Sequence, residues 1–135
     1  MLRLIVTIIA GIVIGSFINM AIITVGSQFI AAPAGVDVND VDSIANAMHL
    51  YQPKHFLFPF LAHALGTFTG AFIAFRLSNR ATIIAPLVVA SFFLFGGIAM
   101  SLMVPASMWF IAVDLIFAYL PMAWLAIACQ KSANS

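Results

Sequence analysis

The chain has 135 residues, 64% of them hydrophobic and 7% charged, with a formal net charge of +1. A water-soluble domain averages about 25% charged residues, so five basic and four acidic side chains cannot clothe a soluble surface, and a lipid bilayer is the solvent that suits this composition. The small net charge and the lack of a basic cluster exclude a nucleic-acid surface, and the single cysteine, Cys129, has no partner for an internal disulfide.

The predicted fold is all-α: a single transmembrane domain over residues 1–135, built as a four-helix transmembrane bundle with a short outer amphipathic helix. The first span is expected from Leu4 to Ile30. Its apolar run far exceeds the roughly 7–15-residue core of a secretory signal, and Ala31-Ala32-Pro33 is a poor cleavage site, so the segment reads as a retained span. Asn19 and Gln28 are its only strongly polar side chains. Gly11 and Gly15, with Ser16 beside them, have the spacing that lets a neighbouring helix backbone come close.

Residues 31–54 form the loop that follows. Pro33 and Gly35 end the helix, and Asp37, Asp40 and Asp42 make the loop acidic. Their spacing lacks the glycine and terminal glutamate of a calcium-binding loop, so they read as a solvated acidic stretch. Asp42-Ser43 is the expected N-cap of a short helix from Ile44 to Tyr51. Ile44, Ala47, Met48 and Tyr51 fall on one face of it, the pattern of a helix that lies on a membrane surface or lids a bundle.

The second span is expected from His55 to Arg76, followed by the tight basic turn Arg76-Leu77-Ser78-Asn79-Arg80. The third runs from Ala81 to Val104 with Gly96-Gly97 in its outer half, and Pro105-Ala106-Ser107 turns the chain. The fourth runs from Met108 to Ala128 with Asp114, Tyr119 and Pro121 inside it, and the polar tail from Gln130 to Ser135 is expected to fray. Arg3, Arg76, Arg80 and Lys131 fall on one side of this topology, and Lys54 with the three aspartates on the other. The excess of basic residues places both termini in the cytoplasm.

The chemistry concentrates in the outer half of the membrane. At about 1.5 Å per residue, His63 lies roughly 12 Å deep, Asp114 roughly 9 Å and Asn19 roughly 14–16 Å. Thr67 is one turn below His63 on the same face, while Ser101 is shallower and Ser16 and Tyr119 extend a polar track further inward. A carboxylate at the bilayer centre costs about 2.5–3.5 kcal/mol on insertion scales, so Asp114 should face the bundle interior and find a partner. His63 is the only basic side chain at that depth, and a His–Asp pair can store or pass a proton near neutral pH. The candidate site is therefore His63, Asp114, Asn19 and Thr67, with His55, Ser101 and Tyr119 as secondary members. A satisfied polar clamp that only keeps four helices in register is the competing account of the same residues.

His49 and His55 are expected at headgroup level with Tyr51 and Trp109 as interfacial anchors. Two histidines do not make a zinc site, which takes three or four protein ligands, and no metal or cofactor is assigned. Gly66 and Gly70 repeat the close-packing spacing, and facing Gly11 and Gly15 they would form an antiparallel helix pair. The thirteen phenylalanines, among them Phe56, Phe58, Phe60, Phe92, Phe93, Phe95 and Phe110, read as lipid-facing and packing residues, with a lipid or quinone cleft as the alternative.

Catalytic signatures are missing: no GxSxG, HExxH, phosphate loop or CxxC occurs. No residue is assigned a catalytic role, and an enzyme acting on a lipid-like substrate would rest on His63 and Asp114 alone. Three readings follow. One is a proton-linked transporter or channel-like protein that uses the His/Asp pair. Another is an accessory or structural subunit that docks a larger membrane complex, and the third is that membrane enzyme. Four spans in so short a chain enclose little space, which favours a homo-oligomer or a larger complex within the lipid bilayer.

The run Pro33-Ala34-Gly35-Val36-Asp37, then Pro53-Lys54-His55-Phe56, then Pro59-Phe60-Leu61-Ala62-His63-Ala64-Leu65-Gly66-Thr67, resembles a family of small four-span bacterial membrane proteins with no established function. The resemblance covers most of the chain and implies a multi-pass protein of the bacterial inner (plasma) membrane. It assigns no role to any residue.

Overall fold

The computed structural model describes residues 1–78 and 82–133. In chain order it has helices α1 (Leu2–Phe29), α2 (Val41–Asn46), α3 (Leu57–Leu77), α4 (Ile84–Met103), α5 (Met108–Phe117) and α6 (Leu120–Ser132). Four apolar segments are long enough to cross a bilayer: Leu2–Phe29, Pro53–Leu77, Ile84–Met103 and Met108–Ser132. The chain is an all-helical, multi-pass membrane protein. Large apolar side chains such as Ile5, Ile9, Val13, Phe17, Phe95, Ile116 and Leu125 point outward. On a soluble monomer such a surface would be a binding site or a liability; in lipid it is the solvated face.

Glycine decides where the first two spans meet. A Cβ built on Gly11 would lie 2.6 Å from the carbonyl oxygen of Gly70, and one on Gly15 would lie 2.7 Å from that of Gly66. The relation is reciprocal, since a Cβ on Gly66 would meet the Gly15 carbonyl at 2.9 Å and one on Gly70 the Gly11 carbonyl at 2.6 Å. Residue numbers that rise on α1 while they fall on α3 show the antiparallel crossing. Backbone packs on backbone, the arrangement small residues permit where lipid removes the usual hydrophobic drive between helices. Below and beside this seam the core stays small-grained. Ala74, Ala85 and Val89 pack with Leu4, Ile8 and Ile12, and Ala71 and Ala90 meet Ala123 and Ala126.

The two ends differ in charge. At one end Arg3 donates its Nε–H to the Leu77 carbonyl at 3.1 Å, which ties the start of α1 to the end of α3. Arg76 and Lys131 sit in the last turns of α3 and α6 at the same end. Asn79 and Arg80, expected in the basic turn, and Ala81, expected at the start of the third span, lie outside the described residues. Lys54 and the three aspartates are at the opposite end.

Several boundaries differ from those read in the sequence. The short loop helix begins earlier, at Val41, because Asp40 rather than Asp42 is its cap: the Asp40 carboxylate accepts from the Asp42 N–H at 3.0 Å. It also ends earlier, at Asn46, and a 3-10 turn over Met48–Leu50 takes its place. Ile44, Ala47, Met48 and Tyr51 are all half-buried. The second span opens with a 3-10 turn, Pro53–Phe56, where Pro53 occupies the first turn, the position that tolerates a missing N–H. At the far end the helix runs through Ser132 instead of fraying from Gln130. Gln130 is buried and donates its Nε2–H to the Phe72 carbonyl at 2.6 Å, which fastens the end of α6 to α3.

The largest departure is in the fourth span, which is two helices. α5 stops at Phe117, α6 starts at Leu120, and Tyr119 between them has φ −119 and ψ −86, outside helical values. Pro121 supplies the reason, since it has no N–H to give the Phe117 carbonyl and its ring crowds the preceding turn. The flanking backbone bonds run from Ala118 N to the Asp114 carbonyl at 2.9 Å and from Ala123 N to the Tyr119 carbonyl at 3.1 Å. Ala118 and Tyr119 are buried. Irregular backbone at membrane depth is tolerated where protein or a polar cavity surrounds it.

Candidate functional site

The broken span builds the site. α5 projects Asp114 into the bundle, where the residue is 4% exposed. His63 reaches it from α3, with Nδ1 2.8 Å from Asp114 Oδ1. Tyr119 donates its hydroxyl to the other carboxylate oxygen, Oδ2, at 2.9 Å. A carboxylate in its ionised form only accepts, and in that form the bond would take its proton from His63 Nδ1 and leave Nε2 for a second partner. The imidazole also stacks on the Tyr119 ring, with centroids 5.8 Å apart and planes inclined by 27°.

Tyr119 takes this position because the helix is broken. In a continuous α-helix a residue five positions on lies about 140° around the axis, so its hydroxyl would point away from Asp114. The irregular turn at Ala118–Tyr119 brings it back. Helix α4 leaves room for it: a Cβ on Gly97 would collide with the Tyr119 hydroxyl oxygen. Ala64 of α3 packs against Ala118 and Tyr119, ringed by Phe60, Phe93, Leu94, Leu115 and Met122. The polar cluster is thus walled by apolar groups, while His63 keeps 24% of its side chain exposed.

The other expected members take different places. Thr67 is fully buried one turn beyond His63, and its hydroxyl has no hydrogen-bond partner among the described residues. Asn19 is half-buried on α1, where its Cβ lies against Gly66 rather than against Asp114. Ser101 turns its hydroxyl back to the Ile98 carbonyl of its own helix at 2.7 Å. Ser16 is exposed. His55 belongs to the loop end, where its Nδ1 accepts from the Gln52 N–H at 2.8 Å in a reciprocal cap of the 3-10 turn. There it stacks edge-on with Tyr51, in an aromatic group that continues through Phe56 to Trp109 and Phe110. Sequence reasoning placed Tyr119 further inward on a polar track. Pro121 two residues later was the signal that the helix could turn it back.

Among the described residues no three His, Cys, Asp or Glu side chains converge as metal ligands. An open cleft of about 400 Å³ lies at the loop end between α2 and the Pro105–Ser107 turn, with Asn46, His49 and Ser107 on its walls, away from Asp114. No protein-family model, curated protein or solved structure matches the chain.

Proposed function

We propose that this is a small proton-linked transporter or channel-like membrane protein whose working group is the Asp114–His63–Tyr119 cluster. The observation that carries this reading is a buried carboxylate within a transmembrane bundle, 2.8 Å from a histidine. Helix packing does not call for such a pair, because the crossing of α1 and α3 in the same bundle is close-packed at Gly11, Gly15, Gly66 and Gly70 with no ionisable pair. Ionisable groups inside membrane spans are costly and accompany ion or proton pathways. Histidine is the side chain whose charge changes near neutral pH.

In this reading, a proton arrives at His63 through its exposed edge. The Nδ1–H bond to Asp114 holds the imidazole in one tautomer, so the proton is taken at Nε2, and the carboxylate stabilises the resulting imidazolium. Tyr119 holds the second carboxylate oxygen, which fixes the orientation of Asp114 as the charge on His63 changes. Interrupted helices near the membrane midplane are the places where transporters hold coupling ions, and the turn at Ala118–Tyr119 lies directly beyond Asp114. The distribution of basic residues supports an orientation with both termini in the cytoplasm of a bacterial inner membrane and the acidic loop outside. His63 and Asp114 then open toward the outer half of the bilayer.

The test is proton flux in proteoliposomes. Wild-type protein is expected to dissipate an imposed pH gradient, and Asp114→Asn to lose at least about tenfold of that rate, the cost of about 1.4 kcal/mol on a barrier. Equal flux in the two proteins, or none in wild type, would sink the reading and leave an accessory subunit as the better account.

A further inference from the structure

Thr67 is the buried polar group that the Asp114 cluster does not use. It is 0% exposed and its hydroxyl oxygen has no partner among the described residues. In a helix a threonine hydroxyl usually bonds the carbonyl three or four residues earlier, as Thr7 does with Leu4 at 2.8 Å. Thr67 makes no such bond. A buried hydroxyl left alone is costly, and an ordered water is a common answer where polar groups converge.

Position on α3 says where that water would lie. Ala64 packs on Ala118 and Tyr119, and Ala71 packs with Ala123 and Ala126. Thr67 is three residues past Ala64 and four before Ala71, on the same face of α3. It therefore lies level with the stretch of the fourth span between those contacts, 120–122, the first turn of α6 just past the break. There Pro121 cannot donate to the Phe117 carbonyl, so at least one acceptor is freed by covalent structure. The orphaned hydroxyl on α3 thus lies beside a stretch of the fourth span whose helical ladder is interrupted.

We propose that an ordered water occupies this notch, bonded to the Thr67 hydroxyl and to carbonyl groups of the break. It carries the hydrogen-bonded path from Asp114 and Tyr119 toward the basic end of the bundle. The route rests on the proton-linked reading of Asp114, whereas the water site stands on the orphaned hydroxyl alone. It supplies what the cluster lacks, a polar step past the apolar ring around Tyr119 toward the half of the bundle filled by alanines.

The experiment compares Thr67→Val, Thr67→Ser and wild type in nanodiscs. Three readouts are taken: thermal midpoint, transfer of magnetisation from water to the residue-67 methyl group in wild type, and proton flux. A water-bonded hydroxyl predicts water contact at that methyl, a lower midpoint for Thr67→Val, and a midpoint near wild type for Thr67→Ser. Removal of a hydroxyl with no partner would instead raise the midpoint, and that result, or a dry methyl, overturns the water site. For the route, Thr67→Val should lose about tenfold of the flux and Thr67→Ser should keep it. The ¹⁵N signals of His63 should stay at their wild-type positions, which shows that the Asp114 contact is intact. Full flux in Thr67→Val overturns the route and leaves the Asp114 reading standing. Absence of flux in wild type overturns the Asp114 reading and the route together, and the midpoint and methyl data still decide the water.

Discussion

Helix α3 is fastened on two sides by opposite means. Toward α1 it offers glycines, and the two backbones touch at Gly11–Gly70 and Gly15–Gly66. Toward the fourth span it offers His63, which meets a buried carboxylate and, through it, a tyrosine. The first contact works by shape: any added atom spoils it, and it has one arrangement. The second works by hydrogen bonds between ionisable side chains, and in the proposed function its members exchange a proton without moving the backbone. A bundle that already holds two spans together by shape has no structural need for an intramembrane carboxylate at its other seam, and that contrast is why the polar seam is read as the working one.

The contrast can be broken first at the dry seam. Gly70→Val would drive its side chain into the Gly11 carbonyl, with no flexible neighbour to yield. A cost of about 3 kcal/mol is expected, the upper range for overpacking, seen as loss of the monodisperse folded protein in detergent. Gly96→Ala is the control, because nothing lies within 4 Å of a Cβ there, and it should shift stability by less than about 0.5 kcal/mol. Similar behaviour of the two variants would mean that the seam is not close-packed.

At the polar seam the expected effects are smaller. Asp114→Ala removes the acceptor of both His63 and Tyr119, and stranding those donors should cost about 2 kcal/mol, read from the thermal midpoint. Asp114→Asn keeps an acceptor and should cost less, while flux falls in both. If Asp114→Ala leaves the midpoint unchanged, the cluster contributes nothing to the bundle.

The finest test concerns Tyr119. Tyr119→Phe should cost about 1 kcal/mol, the net worth of one intramolecular hydrogen bond. Gly97→Ala should be harmful in wild type, because its methyl collides with the tyrosine hydroxyl. In the Tyr119→Phe background the same change should be milder, since the nearest colliding atom is gone and the ring carbon Cζ, 2.7 Å from the Cβ, is the closest that still has to give way. Additive effects in this double-mutant cycle would show that Gly97 and the hydroxyl do not meet.

The sequence made the spans readable because lipid imposes a simple rule, about 20 apolar residues per crossing, and Leu4–Ile30 and Met108–Ala128 obey it. The antiparallel seam was readable too, since Gly11, Gly15, Gly66 and Gly70 carry their spacing openly. Pairing His63 with Asp114 followed from depth alone, as no other base lies at that level. Tyr119 could not be placed so easily. Its role depends on how Pro121 turns the chain at Ala118–Tyr119, and residue spacing describes only an unbroken helix. Asn19 and Ser101 show the converse failure. Both have a suitable depth, but depth carries no rotation, and their helices turn them toward Gly66 and the Ile98 carbonyl. Gln130 was read as part of a loose tail because its anchor, the Phe72 carbonyl, is 58 residues away.

The order of the paired residues along the chain has a consequence for how the protein enters the bilayer. His63 precedes Asp114 by 51 residues, and synthesis delivers the N-terminal part first. The glycine seam between α1 and α3 involves only that early part, so a hairpin bearing His63 can form before α5 emerges. The carboxylate then arrives in the fourth span and meets a base that is already in the membrane. The residue hardest to insert comes when its counterpart is in place, and it closes the bundle as it arrives.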